Sequence, residues 1–222
     1  MQPCTAFRLA AARNGYWVLL NDCKKPVETG WQKKRPSEAE ILSWDRSAFQ
    51  STGMKVTDGL AVIDADIPDA GMVKALADVL DGHFPDLFRR GLVRHAGGPK
   101  EAWIVRVDKP FRRRASRCWY AGGDPDDPDT PKYRVECFGG IGTRQFAIDG
   151  PHSRDRYGKV LRVYQFVGGV SPATTPLTDL PILPRAAFEM ACDQFDVIAA
   201  AAGLIMVKER RQGCAGEPAR IF

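Results

Sequence analysis

Two aspartates, Asp64 and Asp66, stand one residue apart at the end of the apolar run in "GLAVIDADIPD" (59–69). Side chains two apart on a strand share a face, so both carboxylates project together from the strand end. Converging carboxylates repel each other, and one pKa rises unless a cation sits between them. Mg2+ or Mn2+ suits such an all-oxygen site and leaves positions for water and phosphate. A third acid, Glu136, interrupts another otherwise apolar strand in "YRVECFG" (133–139). On neighbouring strands, Asp64, Asp66 and Glu136 would hold a two-metal phosphoryl-transfer site. A plainer alternative stays open at this level: either aspartate can cap the helix beginning near Asp69 or lie solvated in a βα loop.

Groups suited to phosphate lie in two glycine clusters. In "RHAGGPKEAW" (94–103), Gly97 and Gly98 sit beside Arg94, His95 and Lys100. Glycines let a phosphate approach backbone N–H groups, and a neighbouring Lys or His adds a point charge. In "FGGIGTRQF" (138–146), Arg144 and Gln145 follow Glu136, and His152 comes next in the turn "DGPHSRDRYG" (149–158). Each cluster is equally an ordinary hairpin turn with solvated side chains. The run Arg112, Arg113 and Arg114, with Arg117, Trp119 and Tyr120 close behind, is suited to track a nucleic-acid backbone and stack bases, or to be a solvated edge. Lys33, Lys34 and Arg35 beside Trp31 carry the same two readings.

The elements that must position these groups are written in periodicity and punctuation. Apolar spacing predicts a helix over 5–14 with Thr5 as its cap and Gly15 at its C-terminal end, followed by a strand over 16–20. Ser37 and Glu40 form a capping-box pattern that starts a helix over 36–44. A strand over 59–64 precedes an amphipathic helix over 69–84, with Met72, Val73, Leu76, Val79 and Leu80 on one face. Strands over 91–98 and 101–111 pair as a hairpin, strands over 133–139 and 143–149 form a second hairpin, and a further strand covers 160–166. The segment 121–132 is Asp, Pro and Gly, hence a surface loop. After Pro172 the texture changes to a turn-rich piece with Pro176, Pro181 and Pro184, then a helix of good helix formers. Strands mixed with helices in this order predict an α+β domain with mixed or antiparallel sheets flanked by helices.

Composition bounds the class. A chain of 222 residues with 44% apolar residues can bury a sizeable core, which excludes wholesale disorder. The formal charge of +5 is compatible with a polyanionic partner and common without one. Cys4, Cys23, Cys118, Cys137, Cys192 and Cys214 are scattered, without metal-ligand spacing, so they read as free intracellular thiols. No signal-peptide pattern and no membrane-length apolar run are present, so the expected location is cytoplasmic.

Taken in their order over about residues 5–167, these segments resemble the N-terminal catalytic domain of bifunctional DNA primase/polymerases, the prim-pol branch of the archaeo-eukaryotic primase superfamily of plasmids, phages and mobile elements. "AARNGYWVLL", "KKPVETGW" and "ILSW" resemble the family's opening segments, "GLAVIDAD" its metal-binding D-x-D motif and "RVECFGG" its acid-bearing strand. The family's Gly-Gly-x-His motif is matched by "GGPK", which puts Lys100 where the His would be and makes His95 an alternative. "RQFAIDGPH" resembles the Gly-x-Gln-Phe strand and Gly-x-His turn of one subgroup.

The resemblance implies a prim-pol catalytic domain over 1–171, with a Pro-rich linker and helical C-terminal segment over 172–222. It implies template-directed nucleotidyl transfer, with Asp64, Asp66 and Glu136 holding two Mg2+ or Mn2+ ions and a dNTP or NTP as substrate. The triphosphate would be held by Lys100, Gly97, Gly98, His95, Arg144, Gln145 and His152. Single-stranded DNA template would lie on Arg112, Arg113, Arg114, Trp119, Lys33 and Lys34. The chain has no Gly-Lys-Ser/Thr phosphate loop, so ATPase activity is expected from a separate helicase, if one takes part. Two other function classes compete: a metal-dependent single-strand nuclease, and a non-catalytic replication-initiation or DNA-binding module.

Overall fold

The computed structural model describes residues 1–57, 59–127, 129–142 and 144–207. Cys214, the end of the expected C-terminal segment, Asp58 and Thr143 lie outside the described residues. The chain opens with α1 (Pro3–Arg13), β1 (Val18–Asp22), β2 (Lys25–Pro26), α2 (Glu38–Ser43) and β3 (Ser51–Lys55). Next come β4 (Leu60–Asp66), α3 (Ala70–His83), α4 (Asp86–Arg90), β5 (Leu92–His95), β6 (Glu101–Val107), β7 (Phe111–Ala115) and β8 (Trp119–Tyr120). There follow β9 (Lys132–Ile141), β10 (Gln145–Asp149), β11 (Pro151–Arg154), β12 (Val160–Val163) and β13 (Gln165–Phe166). The last elements are β14 (Ile182–Leu183), α5 (Arg185–Ala201) and β15 (Ile205–Met206). This is a mixed α/β fold of the α+β type, with antiparallel sheets and several helices.

A nine-stranded sheet runs β13-β5-β6-β4-β9-β8-β15, with β14 paired parallel to β6 and β7 paired to β9. A four-stranded sheet, β10-β3-β1-β2, packs over part of one face, and β11 pairs with β12 as a hairpin. Alternation along β4 explains why the large sheet is apolar on both sides. Ala61, Ile63 and Ala65 enter one core with Leu76 and Leu80 of α3 and Phe188 and Phe195 of α5. Leu60 and Val62 enter the other, with Leu9 of α1, Ile41 of α2 and Met54 and Phe146 of the small sheet.

Local signals account for several elements. The Ser37 hydroxyl accepts from the Glu40 N–H, and the Glu40 carboxylate accepts from the Ser37 N–H, which starts α2. Asp69 caps α3 through a bond from the Met72 N–H, so neither Asp64 nor Asp66 is needed for that task. Thr5 does not cap α1: it is buried inside the helix, which starts after Gln2 with Pro3 in its first turn.

One strand pairing departs from expectation. The segments around 133–139 and 143–149 do not form a hairpin, because β9 pairs with β4, β7 and β8 while β10 leaves for β3 in the other sheet. The glycine cluster between them is a crossover from sheet to sheet, and Gly140 takes φ +83 within it. Gly150 joins β10 to β11 at φ +81, where a Cβ would fall 2.4 Å from the Gln50 carbonyl oxygen, so only glycine fits. The short helix α4 carries no periodic signal long enough to read in advance.

Residues following Pro172 are joined to the same core. Ile182 and Leu183 pair with Arg106 and Val107, and α5 packs on α3 and β9 with Phe188 fully buried. The Phe188 ring lies 4.9 Å from that of Phe111. Phe188→Ala should therefore destabilise the whole chain by about 3–5 kcal/mol, the usual cost of such a cavity. Urea denaturation is expected to show this as one cooperative transition with a lowered midpoint; an early, separate transition for α5 would contradict it.

Candidate functional site

The face of β4 that buries Leu60 and Val62 continues as Asp64 and Asp66. Beyond Val62 the apolar cover ends, and the face opens into a cleft of about 660 Å³. Its walls come from the β5–β6 turn (Ala96, Gly98, Pro99, Lys100), from Gln145, Phe146 and Ala147 of β10, and from His152, Arg162 and Tyr164. Lys24, in the β1–β2 turn, and Arg94, in β5, complete the charged lining. Two acids at the floor thus face Lys24, Arg94, Lys100 and Arg162, a balance that favours an anion over a bare cation.

Each acid has a basic partner. The Asp64 side chain, 29% exposed, lies 3.8 Å from the Arg94 guanidinium, and Asp66 lies 2.6 Å from the Lys100 ammonium. Burial pushes the Asp64 carboxyl up to about 6, and repulsion from Asp66 and Glu136 adds to this against the pull of Arg94. Glu136 stands directly across from Asp64 in the β4–β9 register. It is held by Arg113, and by Arg134 at 3.3 Å. Asp64 and Asp66 are hard oxygen donors on one face, and the raised Asp64 pKa is a cost that a divalent cation would remove. Yet among the described residues no group of three or more His, Cys, Asp or Glu side chains stands close enough together to hold a metal. The donor chemistry of Asp64 and Asp66 fits Mg2+ or Mn2+, while Glu136 is engaged by arginines.

Arg94 binds the cleft together. Only 8% exposed, it lies 4.0 Å from the Phe146 ring centroid and 4.4 Å from that of Tyr164, and it donates to the Ala147 carbonyl. Burial pulls its pKa down, with Asp64 opposing. The Gln145 amide donates to the Lys24 carbonyl at 2.5 Å and accepts from Asn21 at 3.1 Å, which fixes the turn that presents Lys24. Burial also lowers the Lys24 pKa, helped by Lys100 and Arg94 and opposed by the two aspartates. His152 stacks edge-on against Tyr164 at 5.1 Å, and burial together with the four surrounding cations holds its pKa down at about 4. It is therefore a neutral imidazole at pH 7, able to donate or accept a hydrogen bond but not to add charge.

The fold brings Asp64, Asp66, Gly98, Lys100, Gln145 and His152 to one cleft. Gly97, at φ +70, shapes the β5–β6 turn beside it. His95 alternates with Arg94 on β5 and so takes the opposite face, where its Nδ1 accepts from the Gly97 N–H at 3.3 Å. Arg144 is exposed and does not line the cleft. Trp119 is a core residue, 7% exposed, whose indole N–H donates to Asp196 at 2.8 Å, so it has no open face for a base. Arg113 is committed to Glu136, Arg114 to Asp193 at 3.1 Å and Lys34 to Glu40. Arg112 and Lys33 are exposed, away from the cleft. Lys24, Arg162 and Tyr164 had no motif to mark them, whereas Arg94 was legible as one of the cations beside the glycines of "RHAGGPKEAW".

The chain matches no protein-family model and no curated protein, so the reading of the cleft rests on its own residues.

A consequence for stability follows from Asp64. Its carboxyl sits at about 6 in the folded chain against an ordinary 3.8, so folding favours the protonated form. That contribution is fully present below the ordinary value and is lost as pH rises through about 6. Asp64→Asn removes the titration. Its stability relative to the parent should rise between about pH 4 and pH 6 and then level off, by at most roughly 3 kcal/mol in all. Urea denaturation across that range checks it, and a flat difference would contradict it.

Proposed function

We propose that the cleft binds a nucleoside triphosphate with Mg2+ or Mn2+ and transfers its nucleotidyl group to the 3′-hydroxyl of a strand paired to a template. The protein would then be a DNA primase, a DNA polymerase or both, with the prim-pol fold, serving a plasmid, phage or mobile element. One observation carries this reading: Asp64 and Asp66 share a strand face and a cleft with Lys24, Arg94, Lys100 and Arg162. Acids alone would suit a cation and bases alone a phosphate. Their combination suits a metal-bound polyphosphate.

Asp64 and Asp66 would hold the metal, joined by Glu136 once Arg113 and Arg134 release it. When bound, two such ions lower the pKa of the attacking hydroxyl and stabilise the departing pyrophosphate. The chain's own residues do the rest. Lys100, paired here with Asp66, would give up that carboxylate for a phosphate oxygen of the substrate. Arg94 stays in place, clamped by Phe146 and Tyr164, and presents a fixed charge to the polyphosphate. Gly98 keeps the turn wall low, and neutral His152 offers a hydrogen bond. A non-catalytic nucleic-acid-binding module is the competing reading, favoured by the fact that all three acids already have basic partners.

Incorporation of labelled dNTP or NTP on primed and unprimed single-stranded templates separates the two. The parent should extend or initiate chains with Mg2+ or Mn2+, and Asp64→Ala/Asp66→Ala should fall to background. Activity surviving in that double variant, or none in the parent with either ion, rejects the reading. Lys100→Ala should raise the KM for the triphosphate about tenfold or more, the worth of one charge-assisted bond, with a smaller effect on kcat.

A further inference from the structure

The β11–β12 hairpin stands beside the cleft and contributes His152 and Arg162 to it. Residues 151–164 carry Arg154, Arg156, Lys159 and Arg162 against one acid, Asp155, which is more than half of the chain's formal excess of +5. That one acid is consumed by the turn: its carboxylate accepts from the Tyr157 and Lys159 N–H groups, both at 2.9 Å. Among the described residues, none of the four cations forms an ion pair. The basic run at Arg112–Arg114 differs, since Arg113 and Arg114 are paired with acids.

The tip is closed by hydrogen bonds within its turn and carries an aromatic ring that the fold does not bury. Arg154 donates to the Gly158 carbonyl at 2.9 Å, and Gly158, at φ +84, closes the turn. Tyr157 is 79% exposed, more than any other large hydrophobic side chain among the described residues. The Arg156 guanidinium lies 4.8 Å from its ring centroid, covering one face and leaving the other open. An exposed ring backed by a cation and flanked by cations without ion pairs is a stacking platform with a phosphate track. A lipid surface or an acidic peptide without aromatic residues would use the charges but has no flat group for the open ring face.

We propose that the β11–β12 hairpin is the arm that holds a single-stranded nucleic acid, with phosphates along Arg154, Arg156 and Lys159 and one base on the open face of Tyr157. The strand then enters the cleft at Arg162. Only the purpose of the bound strand rests on the nucleotidyl-transfer reading; the binding surface stands on the hairpin's own residues.

The experiment measures anisotropy of a fluorescein-labelled oligo(dT) of about twenty nucleotides with the full chain, in chelator and over a salt series. Arg156→Ala/Lys159→Ala is expected to weaken binding at least about tenfold at low salt and to flatten the slope of log affinity against log salt by about 1.4. Tyr157→Ala should weaken binding about fivefold or more with the slope unchanged. These side chains are exposed and do not line the cleft, so calorimetric affinity for dATP with Mn2+ should be the same as in the parent. Unchanged oligonucleotide affinity in both variants overturns the proposal. So does a parent that ignores the oligonucleotide but binds phosphatidylserine vesicles through the same residues. If the parent binds no dATP yet the variants lose the oligonucleotide, the hairpin assignment holds and the nucleotidyl-transfer reading fails.

Discussion

Arg94 is the group on which the cleft depends. A buried guanidinium is costly unless its charge is met, and here four partners from three segments surround it, although its Nε–H has no hydrogen-bond partner. Asp64 supplies the countercharge from β4, Phe146 and Tyr164 supply ring faces, and the Ala147 carbonyl accepts a hydrogen bond. Through these contacts a strand of the large sheet is tied to a strand of the small one. The two sheets stop sharing an apolar core at this point, and the charged cleft begins where that core ends.

The same arrangement explains the electrostatic state of the acids. Asp64 is raised by burial and by its neighbours Asp66 and Glu136, and the pull of Arg94 and Lys24 offsets this only in part. A carboxylate held at a cost to the fold is a common mark of a functional site, since nothing in packing requires it. The cations around it are graded. Arg94 is locked by its surroundings, whereas Lys100 is half-exposed on a glycine-proline turn and free to change partner. A cleft with one buried and one half-exposed cation can recognise an anion and still adjust to its arrival.

Charge elsewhere on the molecule is spent or kept in reserve by the fold. The arginines of β7 are largely absorbed in pairing with Glu136 and Asp193, and Lys34 is absorbed by Glu40. The hairpin beside the cleft keeps its cations unpaired because its single acid builds the turn. Surface charge in sequence is therefore a poor guide to surface charge that remains available, and the difference is made by which acids land within reach.

What the sequence by itself determined were the local and periodic features. Alternation placed Asp64 and Asp66 on one face, the Ser37–Glu40 pattern started α2, and apolar spacing marked the buried face of α3. The hairpin of β5 and β6 was also legible, because its two strands are joined by a tight turn. Only the tertiary structure decided which strands became neighbours. It opposed Glu136 to Asp64, sent β10 to the other sheet, buried Trp119 against Asp196 and gathered Lys24, Arg94, Arg162 and Tyr164 around the acids. The physical reason is range: side-chain direction along a strand follows from backbone geometry within a few residues, whereas strand partners are chosen by packing between segments far apart in the chain.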